Sequence, residues 1–543
     1  MKQLFVDGHI YTSDENNPFV SAMLVEDGVI LCVGTREECE SAAKADRPHL
    51  VSLGGRTVIP GFVDAHMHPV MLAEYSKQIA CLPPKVNSIE ELAGEIARVR
   101  VEMDEDDASS ADSWICGWGY DEGKYAEGRS PNRYDLDKGC SDRPVFLVRS
   151  CEHIRCVNSR ALEIAGITKD TPDPPGGAID RDETGEPTGI LRESARDLVH
   201  PFMPEETEEE TVSALVDLGQ LLLSQGIVAV ADMGNLHPGG NAGLYAKAAE
   251  QGFRQRVAMY YMWDYFKDDP SFQITNDQMD PEKRIRIAGL KLIGDGSISG
   301  KTAWLHEPYK GTADCGMPVY EDEDLESAIQ FAKECGCQIS VHAMGGRAID
   351  RVVDRIAAEE DWMQGASNSS PPFLRVEHVT EPSVAAMKTA VNKGFAFISQ
   401  PIFEYCEIET YKANMEPDRL QRIYPFRTML EKGVKLAFST DAPATSWAVP
   451  SDPFSNLKSA VTRYAYDGTD IGQEERVSIE TAIRLYTKEA AEVCGFEGLG
   501  VLAPGYAADF AVLSDDIFSV DPFEIDRIQV EETFINGEQL YKK

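Results

Sequence analysis

The stretch Pro60-Gly61-Phe62-Val63-Asp64-Ala65-His66-Met67-His68-Pro69 decides how the rest of the chain is read. Its apolar start continues from residue 58, and the run 58–66 reads as a buried strand. On a strand, residues i and i+2 share a face. His66 and His68 can therefore converge on one ion. Asp64 lies on that same face and is open to a supporting role beside the histidines or to a structural one. An H-x-H pair alone is a common chance pattern. Its meaning depends on what stands at the ends of the other strands.

Seven further strand-like runs follow, at 227–233, 257–262, 289–293, 338–342, 374–379, 395–400 and 435–440. Helix-like segments lie between several of them, at 324–334, 348–360, 381–392 and 425–432. This βα alternation implies a parallel sheet with crossover helices, and eight strands make a (β/α)8 TIM barrel count. Residues 72–200 break the rhythm. They hold a helical stretch at 89–102, a Pro/Gly/Asp-rich tract at 171–189, and two strand candidates, 114–120 and 144–149, for which an eight-stranded barrel has no room. The block reads as an insertion after barrel strand one. Because it leaves that strand at His68, it is expected to form a lid over the C-terminal mouth.

Both ends of the chain are β-like. Residues 4–11 alternate, 22–25, 29–34 and 57–59 follow with Asp7-Gly8 and Asp27-Gly28 turns, and 35–47 reads as a short helix. Near the other end, 509–513 and 532–535 are apolar and Asn536-Gly537 is a hairpin signal. Alone, each end is too small to bury a core. The expected organisation is therefore 1–58 with 496–543 as one sheet domain, 59–495 as the barrel, and 72–200 inserted within it.

The 543 residues are 43% hydrophobic and 26% charged, which excludes disordered, collagenous and coiled-coil proteins. The net charge of −39 disfavours nucleic acid and anionic membrane as partners. No apolar run approaches the ~18 residues of a membrane span, and Met1–Gly8 has no leader-like character. Twelve cysteines without a C-x-x-C pattern fit a reducing, cytoplasmic setting.

The other strand ends give the H-x-H pair its meaning. Lys291 lies in the 289–293 run, His342 ends 338–342, His378 stands in 374–379, and Asp441 follows 435–440. Four of only ten histidines thus lie at the C-terminal ends of barrel strands, where barrel active sites are built. Imidazoles with a carboxylate are the ligand set of zinc or a similar divalent ion. Asp295 and Arg375 point toward the mouth as candidate substrate contacts. Trp118, Tyr120 and Trp304 are candidate pocket walls, or core.

The chain resembles the amidohydrolase superfamily, and within it the YtcJ-like amidohydrolase 3 family, which includes N-substituted formamide deformylases. The likeness runs through FVDGHIYT, VIPGFVDAHMHP, GWGYDE, SPNRYDLD, NSRALEIAGI, GEPTGILRE, LKLIGDGSISGKTA, RVEHV, STDAP and GVLAPGYAADFAVL. It implies a metal-dependent hydrolase on a distorted barrel with a composite β-sandwich from both termini. It implies one or two ions held by His66, His68, Lys291, His342, His378 and Asp441, with Lys291 carbamylated and bridging. It further implies a metal-bridging hydroxide that attacks an amide-type carbonyl of a small molecule, with Asp441 moving the proton. His153 matches a histidine that similar proteins carry in the inserted region and is a candidate substrate contact, or a surface residue. The resemblance leaves homodimer formation open. Hydrolysis of an ester or lactone, deamination, and an inactive regulatory barrel are the alternatives. The strand-four lysine speaks against deaminases, which usually lack it, and the complete ligand set speaks against decay. One departure stands out: after His342 the chain reads Ala343-Met344-Gly345-Gly346, where relatives usually carry Gly-Asp.

Overall fold

The computed structural model describes residues 2–43, 47–105, 113–150, 154–204, 206–236, 240–363 and 371–543. They fold as two compact units. One comprises Met1–Val70, Leu215–Thr445 and Ser451–Lys543, the other Met71–Ala214 and Ser446–Pro450. The second unit continues beyond the end of the 72–200 block and takes in a short segment near residue 448.

The first unit is built around eight parallel strands in chain order: β1 (Phe62–Met67), β2 (Ile227–Asn235), β3 (Arg256–Met262), β4 (Ile285–Ile293), β5 (Gln338–Ala343), β6 (Leu374–His378), β7 (Ala396–Ser399) and β8 (Lys435–Phe438). The sheet is nearly closed into a barrel. Its strands are buried along most of their length, which is why they read as continuous apolar runs rather than as alternation. Strand β1 is shorter than the 58–66 run, because Thr57–Pro60 belongs to an outer sheet. Gly61 is the changeover. A Cβ there would stand 2.5 Å from Cγ1 of Val228, so only glycine lets the chain pass this close to β2.

The two ends of the sheet, β8 and β1, are joined by the segment that follows β8. Asp441 N donates to His66 O at 2.8 Å, and His68 N to Ala442 O at 2.8 Å. Asp64, fully buried, accepts from Thr440 Oγ1 at 2.6 Å, Thr440 N at 3.2 Å, His66 N at 3.2 Å and Tyr486 Oη at 3.0 Å. Of the two roles open to Asp64, the structure gives it the structural one. Burial still pushes its carboxyl up to about 6 against those donors.

The chain ends form two facing sheets. One has the order Val29–Gly34, Ala22–Glu26, Lys2–Val6, His49–Ser52; the other runs Glu538–Lys542, Val530–Ile535, Phe510–Leu513, Thr57–Pro60, His9–Tyr11, Phe19–Val20. The alternating run 4–11 is therefore split between sheets, at a turn where Asp7 has φ 58°. Phe5 of the first sheet packs edge-on against Phe510 and Phe534 of the second, at 5.1 and 5.5 Å between centroids.

The second unit has its own six-stranded sheet: Gly177–Arg181, Pro187–Glu193, Ile154–Val157, Val145–Arg149, Ile115–Tyr120, Ile79–Ala80. The two surplus strand candidates belong here. The Pro/Gly/Asp-rich tract contains a hairpin that its composition conceals. Its turn is held by Asp182 Oδ1, which accepts from Thr184 N and Glu186 N, with Gly185 at φ 84°. Among the described residues no helix is long and apolar enough to cross a membrane.

The contact between β4 and β5 gives a stability prediction. A Cβ at Gly289 would lie 2.1 Å from the backbone oxygen of Gln338, its cross-strand partner. Gly289→Ala must push the two strands apart, at a cost of about 1–3 kcal/mol. Its urea midpoint should fall below that of the wild type, and an unchanged midpoint would show that the strands are not packed this closely.

Candidate metal centre

Strand alternation sorts the barrel's inward-facing side chains. On β5, Gln338, Ser340 and His342 share a face; on β6, Arg375 and Glu377 do; on β1, Asp64 and His66 do. By this rule His378 should face away from Glu377. It does not, because His378 and Val379 have φ of 74° and 48° and break the alternation. Asp441, at φ 58°, is likewise left-handed. Such conformations cost about 1–3 kcal/mol each and persist where surrounding structure fixes them.

At the C-terminal end of the barrel these residues meet. Asp441 Oδ1 lies 3.1 Å from His68 Nε2 and 3.3 Å from His66 Nε2. Potential ligand atoms of His66, His68 and Asp441 all lie within 4.8 Å of one another. The His378 ring is 4.9 Å from that of His66 and 4.3 Å from that of His342. Lys291, on β4, is 2% exposed and its Nζ has no hydrogen-bond partner.

The hydrogen bonds fix which imidazole nitrogen is free. His66 Nδ1–H donates to Glu377 Oε2 at 2.7 Å, leaving Nε2 toward Asp441. His378 Nδ1–H donates to Gln400 Oε1 at 2.9 Å, and Gln400 is itself oriented by donating to Ser439 Oγ at 2.8 Å. His342 Nε2–H donates to the Gly296 carbonyl at 3.0 Å, leaving Nδ1 free. His378 and His342 thus each keep one unprotonated nitrogen, as a metal ligand requires, while His66 turns Nε2 toward Asp441.

Electrostatics favour the same protonation states. Burial, then the Lys291 charge, lowers His342 to about 4. Burial and the neighbouring His342 hold His378 well below the ordinary histidine value. Burial works against the Asp441 charge, but His66 and His68 outweigh it and hold the carboxyl well below the usual carboxylate range. Burial brings the Lys291 amine down to about 8 against the pull of Glu377 and Asp441. Neutral His342 and His378, an ionised Asp441 and the unpartnered Lys291 amine are a set that a divalent cation can use.

The remaining candidates divide. Arg375, expected near the mouth, is instead fully buried below the histidines. It bonds Glu377 through Nε at 2.5 Å, the Ala65 carbonyl, and Tyr260 Oη at 3.1 Å. A buried guanidinium must be paired, and these partners sit inside the barrel. Asp295 is also fully buried. It accepts from Trp304 N, Met344 N and Gly345 N at 2.7–2.9 Å and ties the loop after β4 to the loop after β5. Burial pushes its carboxyl up to about 7. Its Oδ1 lies 3.6 Å from His342 Nε2, so a carboxylate does stand beside this histidine despite the Gly346 departure. A Cβ at Gly346 would lie 2.5 Å from the His306 ring, which would have to move aside. Trp304 packs beneath the Arg351 guanidinium, 5.9 Å from its ring centroid. Trp118 and Tyr120 are interior residues of the second unit, and Trp118 stacks on Tyr75 at 5.2 Å. His153 lies outside the described residues. Sequence reading passed over Glu377, Gln400 and the Gly296 carbonyl as partners of the histidines. The signal for Glu377 was available: Arg375 and Glu377 place two charges on one face of a strand that should be apolar.

Residues 49–541 match the amidohydrolase family. The Bacillus subtilis (strain 168) protein YtcJ, named as an amidohydrolase, is 30% identical over the whole of both chains. The N-substituted formamide deformylase of Arthrobacter pascens is 27% identical over 99% of this chain and 98% of its own. Among solved structures, an uncharacterized metal-dependent hydrolase from Pyrococcus horikoshii superposes with a TM-score of 0.73 at 25% identity, covering 96% of this chain and 99% of that one. With the family matched across nine-tenths of its length, this chain belongs to the amidohydrolase family.

Proposed function

We propose that the protein is a metal-dependent hydrolase of a carbon–nitrogen bond in a small, uncharged or weakly polar N-substituted amide, acting on bonds other than peptide bonds. The observation that carries this reading is the convergence of His66, His68 and Asp441 beside the unpartnered Lys291 amine. The kinship with an N-substituted formamide deformylase supports the choice of bond. His66, His68, Lys291, His342, His378 and Asp441 would hold one or two divalent ions, with zinc suited to this donor set. When bound, such ions supply a hydroxide near neutral pH and polarise a carbonyl.

The chain's own groups account for the proton traffic. Asp441, ionised and half-enclosed by imidazoles, accepts the proton of the attacking water. It returns that proton to the departing nitrogen as the C–N bond breaks, since an unprotonated amide nitrogen is a very poor leaving group. Lys291 can bridge only after its amine adds CO2, forming a C–N bond and releasing a proton. Its low amine pKa favours that addition, because the neutral amine is the nucleophile.

Three measurements test this. Protein purified without chelator should carry one to two equivalents of divalent metal and hydrolyse N-benzylformamide-like amides only when loaded. A metal content near zero that addition cannot restore would sink the reading, and turnover of lactones or phosphoesters alone would move the activity to another bond. Asp441→Asn should keep the fold, judged by circular dichroism, while losing ~10²–10⁴-fold or more of the turnover. A near-normal rate would remove Asp441 from its role. For Lys291, uptake of ¹³CO2 by metal-free protein, followed by NMR, should rise with pH through about 8, because the neutral fraction of the amine rises there. A signal that falls over this range, or persists in Lys291→Ala, would exclude the carbamate at this residue.

A further inference from the structure

Three histidines at the centre differ in what accepts their second N–H. His66 donates to a carboxylate, Glu377. His378 donates to a neutral amide oxygen, Gln400, and His342 to a backbone carbonyl, Gly296. Glu377 is fully buried and held by three further donor contacts. Arg375 Nε reaches Oε1 at 2.5 Å, Arg375 Nη2 reaches Oε2 at 3.1 Å, and Ser340 Oγ reaches Oε1 at 2.8 Å, while His66 itself bonds Oε2 at 2.7 Å. Arg375 is locked in turn through Tyr260 Oη, which donates to Gln338 Oε1 at 2.6 Å; Gln338 Nε2 then donates to the Pro372 and Val493 carbonyls. A charged column thus runs inside the barrel and ends on one ligand.

A carboxylate partner raises the basicity of an imidazole ligand and fixes its orientation more than a neutral acceptor does. The two groups of ligands therefore differ. His66 and His68 with Asp441 include a carboxylate-backed imidazole. His342 and His378 donate to neutral acceptors; the Asp295 carboxylate stands 3.6 Å from His342 Nε2, beyond hydrogen-bond distance. Resting on the metal-dependent reading above, we infer that the centre is built unequal. Glu377, fixed by Arg375, is a positioning residue that makes the His66–His68–Asp441 half bind its ion more tightly than the His342–His378 half. Gln400 is where a carboxylate would be needed to equalise them, and the chain has an amide there. At limiting metal the protein then holds one ion, in the half backed by Glu377.

The test is a stepwise Zn²⁺ titration of metal-free full-length protein, with a chromophoric chelator as competitor and native mass spectrometry to count ions. Wild type should fill in two steps at least ~10-fold apart. Glu377→Gln should weaken the first step ~10–100-fold, the range typical for loss of such a partner, and leave the second step where it was. General destabilisation would weaken both steps alike, so selective loss separates positioning from a merely structural role. Because Glu377→Gln leaves Arg375 buried without its counter-charge, a second variant is needed. Gln400→Glu should tighten the second step and narrow the gap, whatever Glu377→Gln does to folding. Equal constants in wild type, equal weakening of both steps in Glu377→Gln, or an unmoved second step in Gln400→Glu would each overturn the inference while leaving a metal-dependent hydrolase in place. Failure to bind any Zn²⁺ would overturn both.

Discussion

Everything at the functional end of the barrel depends on how its first and last strands are brought together. Asp64 is placed between them and accepts four hydrogen bonds, two of them from Thr440. That carboxylate has no access to water, and an unbonded oxygen there would carry a full desolvation penalty. The donors it needs come from the segment just after β8, so satisfying Asp64 holds residues 440–442 against β1. Asp441 is then presented to His66 and His68 as a consequence of closing the sheet. The candidate metal centre is in this sense a by-product of the seam.

Below the histidines the barrel interior departs from the apolar layers that usually fill such folds. Gln338, Tyr260, Arg375, Ser340 and Glu377 form a continuous hydrogen-bonded column. Replacing buried charges by apolar side chains of similar volume is often neutral or stabilising. The column is therefore poorly explained as a stability device and well explained as a way to hold His66 in one orientation. The left-handed backbone at His378 and Asp441 fits the same account, in which local strain is tolerated where the surrounding structure over-determines a functional geometry.

The loops after β4 and β5 show a comparable economy. Asp295 joins them through three backbone N–H groups, and the Gly296 carbonyl beside it receives the His342 N–H. Gly346 leaves the space that the His306 ring takes up. His306 in turn bonds Asp350 at 2.9 Å, and Ser383 bonds the other Asp350 oxygen at 2.6 Å. The carboxylate near His342 thus comes from the preceding strand's loop.

Periodicity carried the barrel. The strands β1–β8 are buried on both faces, and that burial writes itself into the sequence as apolar runs. The H-x-H pair was legible because its spacing follows strand alternation, and the later histidines because they stand at the ends of apolar runs. What the sequence could not show was anything set by contacts between distant strands. Residues 4–11 alternate as one strand would, yet the positive φ at Asp7 divides them between two sheets. The run 58–66 is continuous in hydropathy but changes sheet at Gly61, where Val228, far along the chain, leaves no room for a side chain. Arg375 read as a residue of the mouth because charge implies solvent. Only the tertiary structure supplies the buried carboxylate and hydroxyl that let a guanidinium lie inside the barrel. The amino-acid sequence by itself determined which residues could ligate a metal. The partner of each histidine, and so which of its nitrogens is free, was decided by side chains and carbonyls from neighbouring strands, which no local pattern brings together.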